Sequence, residues 1–198
     1  MWKLVILFAA CTSHAPRTEV LVGGPCEGCE LIFIDRPVRL ASASRIAPPD
    51  EPGEPMVIDG VVRTATGAPV PGVVVYAYQT NARGIYPPST TRHGTLRGFA
   101  LSGSDGAYRF STIRPASYPD TTVPQHVHMH VLEVGRCHYY IDDLVFTDDP
   151  LLTPAERTTH AQGRGGIGIA TPTKHDGTWQ VRRDITLGAG IADHARCR

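Results

Sequence analysis

The sequence predicts an all-β protein, a β-sandwich, on three observations. Short runs that alternate apolar and polar residues, or are apolar throughout, recur from residue 56 onward. Glycine (20 residues) and proline (17 residues) exceed average usage and are spread along the chain, as many short strands joined by tight turns require. A single short helix candidate interrupts the pattern. With 198 residues, 41% hydrophobic and 19% charged, one compact domain is expected. Lys plus Arg equals Asp plus Glu at 19 each and no basic run gathers anywhere, so nucleic acid is not an expected partner.

Taken in order, "MWKLVILFAACTS" places Lys3 ahead of an apolar run, Leu4 to Ala10, that is far too short to span a bilayer. It reads as a targeting segment. "FAAC" resembles the lipobox of bacterial lipoproteins, with Phe8 in place of the usual leucine, and this makes Cys11 the lipid-bearing residue of an exported chain. The other readings are an ordinary cleaved signal or a buried N-terminal strand. Residues 1–10 are thus expected as a signal peptide, 11–55 as an N-terminal arm and linker, and 56–192 as the sandwich.

Setting Cys11 aside leaves Cys26, Cys29, Cys137 and Cys197, an even set that allows three pairings and suits an oxidising compartment. A structural disulfide is the expectation for "GGPCEGCE", with a pairing that ties the arm to the sandwich favoured over one closed within "CEGC". The "LIFI" that follows is strand-like. Residues 36–55 carry five prolines and no apolar period, and read as an extended connector. "MVIDGVVRT" alternates, "TGAPVPG" is a turn and "VVVYAYQT" a buried strand. "SGSDGAYRFSTI" is a turn leading into a strand, and "HVHMHVLEV" and "YYIDDLVF" follow. "TPAERTTHA" is the helix, with Thr153 as N-cap. The tail from Gly163 adds a hairpin and a last strand.

One segment raises a chemical question. In "VPQHVHMHV", His126, His128 and His130 occupy alternate positions, so on a strand they share one face with Cα atoms roughly 6.6 Å apart. Neutral imidazole is the commonest protein metal ligand, so this face is either a metal site or three polar rings on a wet surface.

Four blocks decide between these. "DGVVRTATGAPVPGVVVYAYQTNARGIYP", "LRGFALSGSDGAYRFSTIRPASYP", "VPQHVHMHV" and "DDLVFTDDPLLT", in this order, resemble the catalytic domain of intradiol ring-cleavage dioxygenases, and most of all the exported, lipoprotein-like branch of that family. The resemblance spans residues 20 to 190. It implies a prealbumin-like β-sandwich holding one non-haem Fe(III) by two tyrosinates and two histidines, at Tyr86, Tyr118, His126 and His128. It further implies that a catecholic diol and O2 are the substrates and a muconate-type diacid the product, with Tyr118 as the ligand that leaves the metal and takes a substrate proton. His130 falls outside the ligand pattern and is expected as a neighbour on the same face. His93 and His138 are expected at the surface or the pocket rim.

The chemistry asks for these residue types independently. Fe(III) is a hard cation, and phenolate oxygen is a hard anionic donor that offsets its charge. Gly84 and Pro87 put Tyr86 at a turn, from which a side chain can enter a shared site. Two departures from the family stand out. Val123 replaces an arginine expected to stabilise negative charge on the substrate, and Asp142 and Asp143 replace a Thr-Gln pair. Arg92, Arg97 and Arg114 are the candidates to supply the missing charge. The alternative is a non-catalytic transthyretin-like binding module, because "GVVRTATGAPVPGVVVYAY" also resembles the opening of many such β-modules.

Overall fold

The structure, a computed structural model, describes residues 19–197 apart from residue 27. The expected targeting segment and Cys11 lie outside the described residues. The strands in chain order are β1 (Val20–Leu21), β2 (Ala43–Arg45), β3 (Pro55–Arg63), β4 (Val73–Tyr78), β5 (Arg97–Leu101), β6 (Ala107–Ile113), β7 (His126–Glu133) and β8 (Cys137–Phe146). After the helix α1 (Pro154–Ala161) come β9 (Ile169–Ala170), β10 (Thr173–His175), β11 (Thr178–Arg182) and β12 (Ile185–Thr186). They form two sheets, in the orders β1-β8-β7-β4-β5 with β9 on β8, and β10-β11-β3-β6-β2 with β12 on β3. The expected all-β sandwich is present.

Alternation sets the core. Val73, Val75 and Ala77 of β4, Val127, Met129 and Val131 of β7, and Tyr139 and Ile141 of β8 turn inward against Ile58, Val62, Tyr108 and Phe110 of the second sheet. The other face of the first sheet is covered too. Val74, Tyr76, Tyr78, Phe99 and Leu132 form a second buried cluster there with Ile32 from the arm. The outer face of β4 and β7 is therefore an enclosed surface, which explains why β4 is buried at all six positions. The site is built on this face.

The connector expected to be extended over 36–55 is so only in part: Ala43–Arg45 pairs with β6 and the Leu101 N–H donates to the Ala41 carbonyl, closing one side of the sandwich, while a turn bonds the Glu51 N–H to the Pro48 carbonyl and Pro55 already starts β3. "LIFI" is not a strand. Residues Cys29–Ile32 make one 3₁₀ turn that buries Leu31 and Ile32 and leaves Phe33 and Ile34 exposed. The pairing favoured for the cysteines is also corrected: Cys26 joins Cys29 within "CEGC", and Cys137 joins Cys197. The tight turn through Gly28 (φ 84°) brings the first two Cα atoms within 5.7 Å, inside the reach of one disulfide, whereas Cys137 starts β8 beside the C-terminal segment. Helix α1 has the expected cap, with the Glu156 N–H donating to Thr153 Oγ1 and the Thr153 N–H to the Glu156 carboxylate. Among the described residues no helix is long and apolar enough to cross a membrane.

Candidate metal centre

The four residues singled out in the sequence converge. His126 and His128 project from β7, with their Nε2 atoms 3.0 Å apart. Tyr118, on the loop between β6 and β7, places its hydroxyl 3.2 Å from each of those nitrogens. Tyr86, on the loop after β4, puts its hydroxyl 2.6 Å from that of Tyr118. The two loops are sewn together: the Thr80 hydroxyl donates to the Ala116 carbonyl at 2.7 Å, and the Ala116 N–H to the Asn81 carbonyl at 3.1 Å. Gly84 makes the approach possible, since at its φ of 75° a Cβ would fall 1.9 Å from the Ser117 carbonyl oxygen.

Hydrogen-bond partners fix the imidazoles. The Pro124 carbonyl can only accept, so His126 Nδ1 donates to it at 2.7 Å. The Asp143 carboxylate accepts from His128 Nδ1 at 2.8 Å. In the neutral form of each ring this leaves the lone pair on Nε2, and the two Nε2 atoms point at one another. Burial first, and then the closeness of a second titratable imidazole, His128, lower His126 from its ordinary pKa, which favours its neutral form. Burial opposes charge on Asp143, but the neighbouring His128 and His126 hold its carboxyl below the usual carboxylate range. Asp143 takes Nδ1, on the far side of the ring from Nε2, so its bond fixes the orientation of the His128 imidazole.

The register of the sheet explains how Asp143 gets there. Val127 pairs with Leu144 but Met129 pairs with Ile141, so β8 carries one extra residue opposite His128. This bulge breaks the alternation of β8 and aims Asp143 at the imidazole. Sequence reasoning noted Asp142 and Asp143 only as a departure; the signal was two consecutive acids interrupting an otherwise alternating strand.

The donor set fits a hard trivalent cation. Two hydroxyl protons serve four contacts among the four groups, and the contact between the two Nε2 atoms has no proton at all. Donors that each lie ~2 Å from one ion are themselves about 3 Å apart. Burial pushes the Tyr86 phenol well up, and the bond to Tyr118 adds to this; burial raises Tyr118 as well. A cation among these oxygens reverses that balance and stabilises phenolates.

A cleft of about 530 Å³ opens onto the cluster, lined by Tyr86, Tyr118, His128 and Asp143 together with Pro25, Cys26, Arg92 and Tyr140. Of the three arginine candidates, Arg92 lines this cleft and pairs with Glu30 at 3.1 Å. Arg97 pairs with Asp35 at 2.7 Å. Arg114 is bound to Asp148 at 2.7 and 2.8 Å and stacks over Trp179. Val123 is exposed. His93, expected at the surface or the pocket rim, does line the cleft but is buried there, whereas His138, expected in the same places, is buried away from that lining. His93 stacks on Tyr78 at 3.5 Å between ring centroids, and Tyr78 in turn stacks on His128 at 4.5 Å. His138 meets Phe33 edge-on at 4.9 Å. His130 is the buried neighbour expected, 3.5 Å from Cys29 Sγ through Nδ1.

Comparison with known proteins identifies the family and the fold. The family model described as Dioxygenase matches residues 33–175. Catechol 1,2-dioxygenase 1 of Acinetobacter lwoffii is 39% identical over 74 residues, 35% of this chain and 24% of that protein. Hydroxyquinol 1,2-dioxygenase of Rhizobium sp. is 28% identical over 171 residues, 70% of this chain and 56% of that protein. Among solved structures, the dioxygenase domain of a dioxygenase carbohydrate-binding protein fusion from Streptomyces sp. SirexAA-E superposes with a TM-score of 0.60 at 22% identity, covering 87% of this chain and 98% of that one. The chain spans 24% to 48% of the length of the first curated relatives it matches. A two-sheet sandwich with this family match defines an oxidoreductase class, and the chain belongs to the intradiol ring-cleavage dioxygenase family.

Proposed function

We propose that this protein is an Fe(III) intradiol dioxygenase that inserts both atoms of O2 into a small catecholic aromatic and yields a muconate-type diacid. The observation that carries the proposal is the meeting of two phenol oxygens and two imidazole lone pairs, each within 3.2 Å of a neighbour, at the base of an open cleft. The transthyretin-like alternative gives no reason for such a cluster.

Tyr86, Tyr118, His126 and His128 would hold the iron. When bound, ferric iron supplies the Lewis acidity that favours the ionised diol and activates its ring toward O2. His126 and His128 are donors held by a strand and by their Nδ1 bonds, so they stay in place through turnover. Tyr118 is loop-borne and half-buried, and its Oη is the acceptor for one diol proton. Asp143 keeps the His128 Nδ1 protonated and its Nε2 available. A volume of about 530 Å³ accommodates a single substituted ring. Both oxygen atoms end in product, so no external reductant enters the reaction.

The same proposal places the chain outside the cytoplasm, anchored by lipid on Cys11. Two disulfides support an oxidising compartment.

The test uses the full-length chain reconstituted with iron in air. The expected result is one iron per chain, a visible tyrosinate-to-Fe(III) band, and catechol-dependent O2 uptake matched by diacid. Tyr118→Phe is expected to retain iron with a shifted band and to lose roughly 10²- to 10⁴-fold in rate, because it deletes the proton acceptor. A wild-type chain that binds no iron, or a Tyr118→Phe variant with unchanged spectrum and turnover, would overturn the assignment.

A further inference from the structure

The motif "GGPCEGCE" has no part in the chemistry derived so far, yet the fold brings it to the site. Pro25 and Cys26 line the same cleft as Tyr86, Tyr118 and His128. From there the loop runs inward: Pro25 is exposed, Cys26 half-buried, Gly28 and Cys29 buried. Three contacts hold it. Cys29 Sγ lies 3.5 Å from His130 Nδ1. Gly28, at φ 84°, packs so closely on His93 that a Cβ would fall 2.4 Å from Nε2. Glu30 pairs with Arg92 at 3.1 Å, and Ile32 just beyond is wholly buried. The Cys26–Cys29 disulfide then fixes the part that faces the cleft.

A crosslink across three residues restricts the unfolded chain far less than Cys137–Cys197 does across 60, so its main effect is local. We propose that the disulfide-held edge formed by Pro25, Cys26 and Cys29 is the substrate-selecting wall of the cleft, limiting the size of the substituents a catecholic ring can carry. This rests on the ring-cleavage reading, and it assigns a specificity role that the ligand set alone does not.

The experiment compares iron-loaded wild type with Cys26→Ala/Cys29→Ala, which loosens the wall, and with Pro25→Trp, which thickens it. Cys137→Ala/Cys197→Ala is the control for general loosening. Catechol and 4-tert-butylcatechol are the probes, and the readout is the ratio of their kcat/KM values. Anaerobic calorimetry gives the ratio of their dissociation constants in parallel. Hydrophobic pocket edges discriminate by one to two orders of magnitude, so the Cys26→Ala/Cys29→Ala ratio should move at least about fivefold toward the bulky diol through KM. Pro25→Trp should move it as far the other way, and the control should leave it within about twofold. Ratios unchanged in both loop variants, or shifted equally in the control, would overturn the proposal. A wild type that binds both diols and cleaves neither would overturn the reaction instead, while the binding ratios still decide the role of the wall.

Discussion

His128 can offer Nε2 to a metal only while its other nitrogen keeps a proton, and Asp143, 2.8 Å away, is the group that holds that proton in place. Asp143→Asn keeps the shape of the side chain but removes its charge. Orienting partners of this kind are worth about 10- to 100-fold in metal affinity, and a loss of that size is expected in a chelator competition on the reconstituted protein. Unchanged affinity would show that Asp143 plays no part in ligand orientation. At this scale the sequence was informative about which four side chains converge and poor about what supports them. Tyr86, Tyr118, His126 and His128 sit in contiguous motifs that can be read without coordinates. Asp143 depends on a bulge, and the stack of His93 on Tyr78 and of Tyr78 on His128 depends on a fold-back of the chain, so neither leaves a periodic trace.

Among the connections between elements, Arg183 is the clearest case of a side chain whose role its neighbours in sequence conceal. "VRRD" reads as charge at a strand end, and Arg182 behaves so, paired with Asp184 on the surface. Arg183 is fully buried between β11 and β12. Its guanidinium donates to the carbonyls of Ile167 at 2.6 Å, Asp184 at 3.0 Å, Arg164 at 3.2 Å and Gly165 at 3.3 Å. A further bond to the Asp142 carbonyl at 3.4 Å ties the glycine-rich loop after α1 against β8, beside the bulge that carries Asp143. Burial pulls its pKa down, and the carbonyl cage is what makes its charge tolerable. Arg183→Met fills similar space but strands those carbonyls, so a loss of about 3 kcal/mol or more is expected in urea unfolding. An unchanged midpoint would show that water satisfies them. The strands themselves were legible where alternation or continuous apolar runs persisted, as in β3, β4, β7 and β8. "LIFI" misled because four apolar residues fit a strand and a 3₁₀ turn equally well, and only the disulfide beside it chooses.

For the molecule as a whole, the enclosed outer face of the first sheet makes stability depend on acid. His93 is buried among Tyr76, Tyr78 and His130 with Arg92 beside it, and its Nδ1 lies 2.9 Å from the Tyr76 hydroxyl. Burial first, and then the nearby positive groups, depress its pKa from 6.5 to about 4. A folded-state value below the unfolded one means that the unfolded chain binds the extra proton. The contribution is therefore complete above pH 6.5 and is lost as pH falls from there toward 4, with a slope of about 1.4 kcal/mol per pH unit for the one proton. Urea midpoints of the wild type and His93→Gln across pH 4 to 7.5 check this: the variant is expected to show a shallower decline on the acid side. Equal slopes would show that His93 is charged or solvated in the folded chain.

One strand carries the whole arrangement, and its two faces answer to different demands. Val127, Met129 and Val131 point into the sandwich while His126, His128 and His130 point away from it. Substitution at any inward position can alter packing while leaving the spacing of the imidazoles intact, so the interior is free to drift over generations without disturbing the chemistry. A change in length is another matter. Adding or removing one residue between 126 and 131 exchanges the faces, drives imidazoles into the interior and leaves valine and methionine at the mouth of the cleft. Lineages descended from this chain are thus free to rewrite the inward letters of that segment but are bound to keep its histidines and its count.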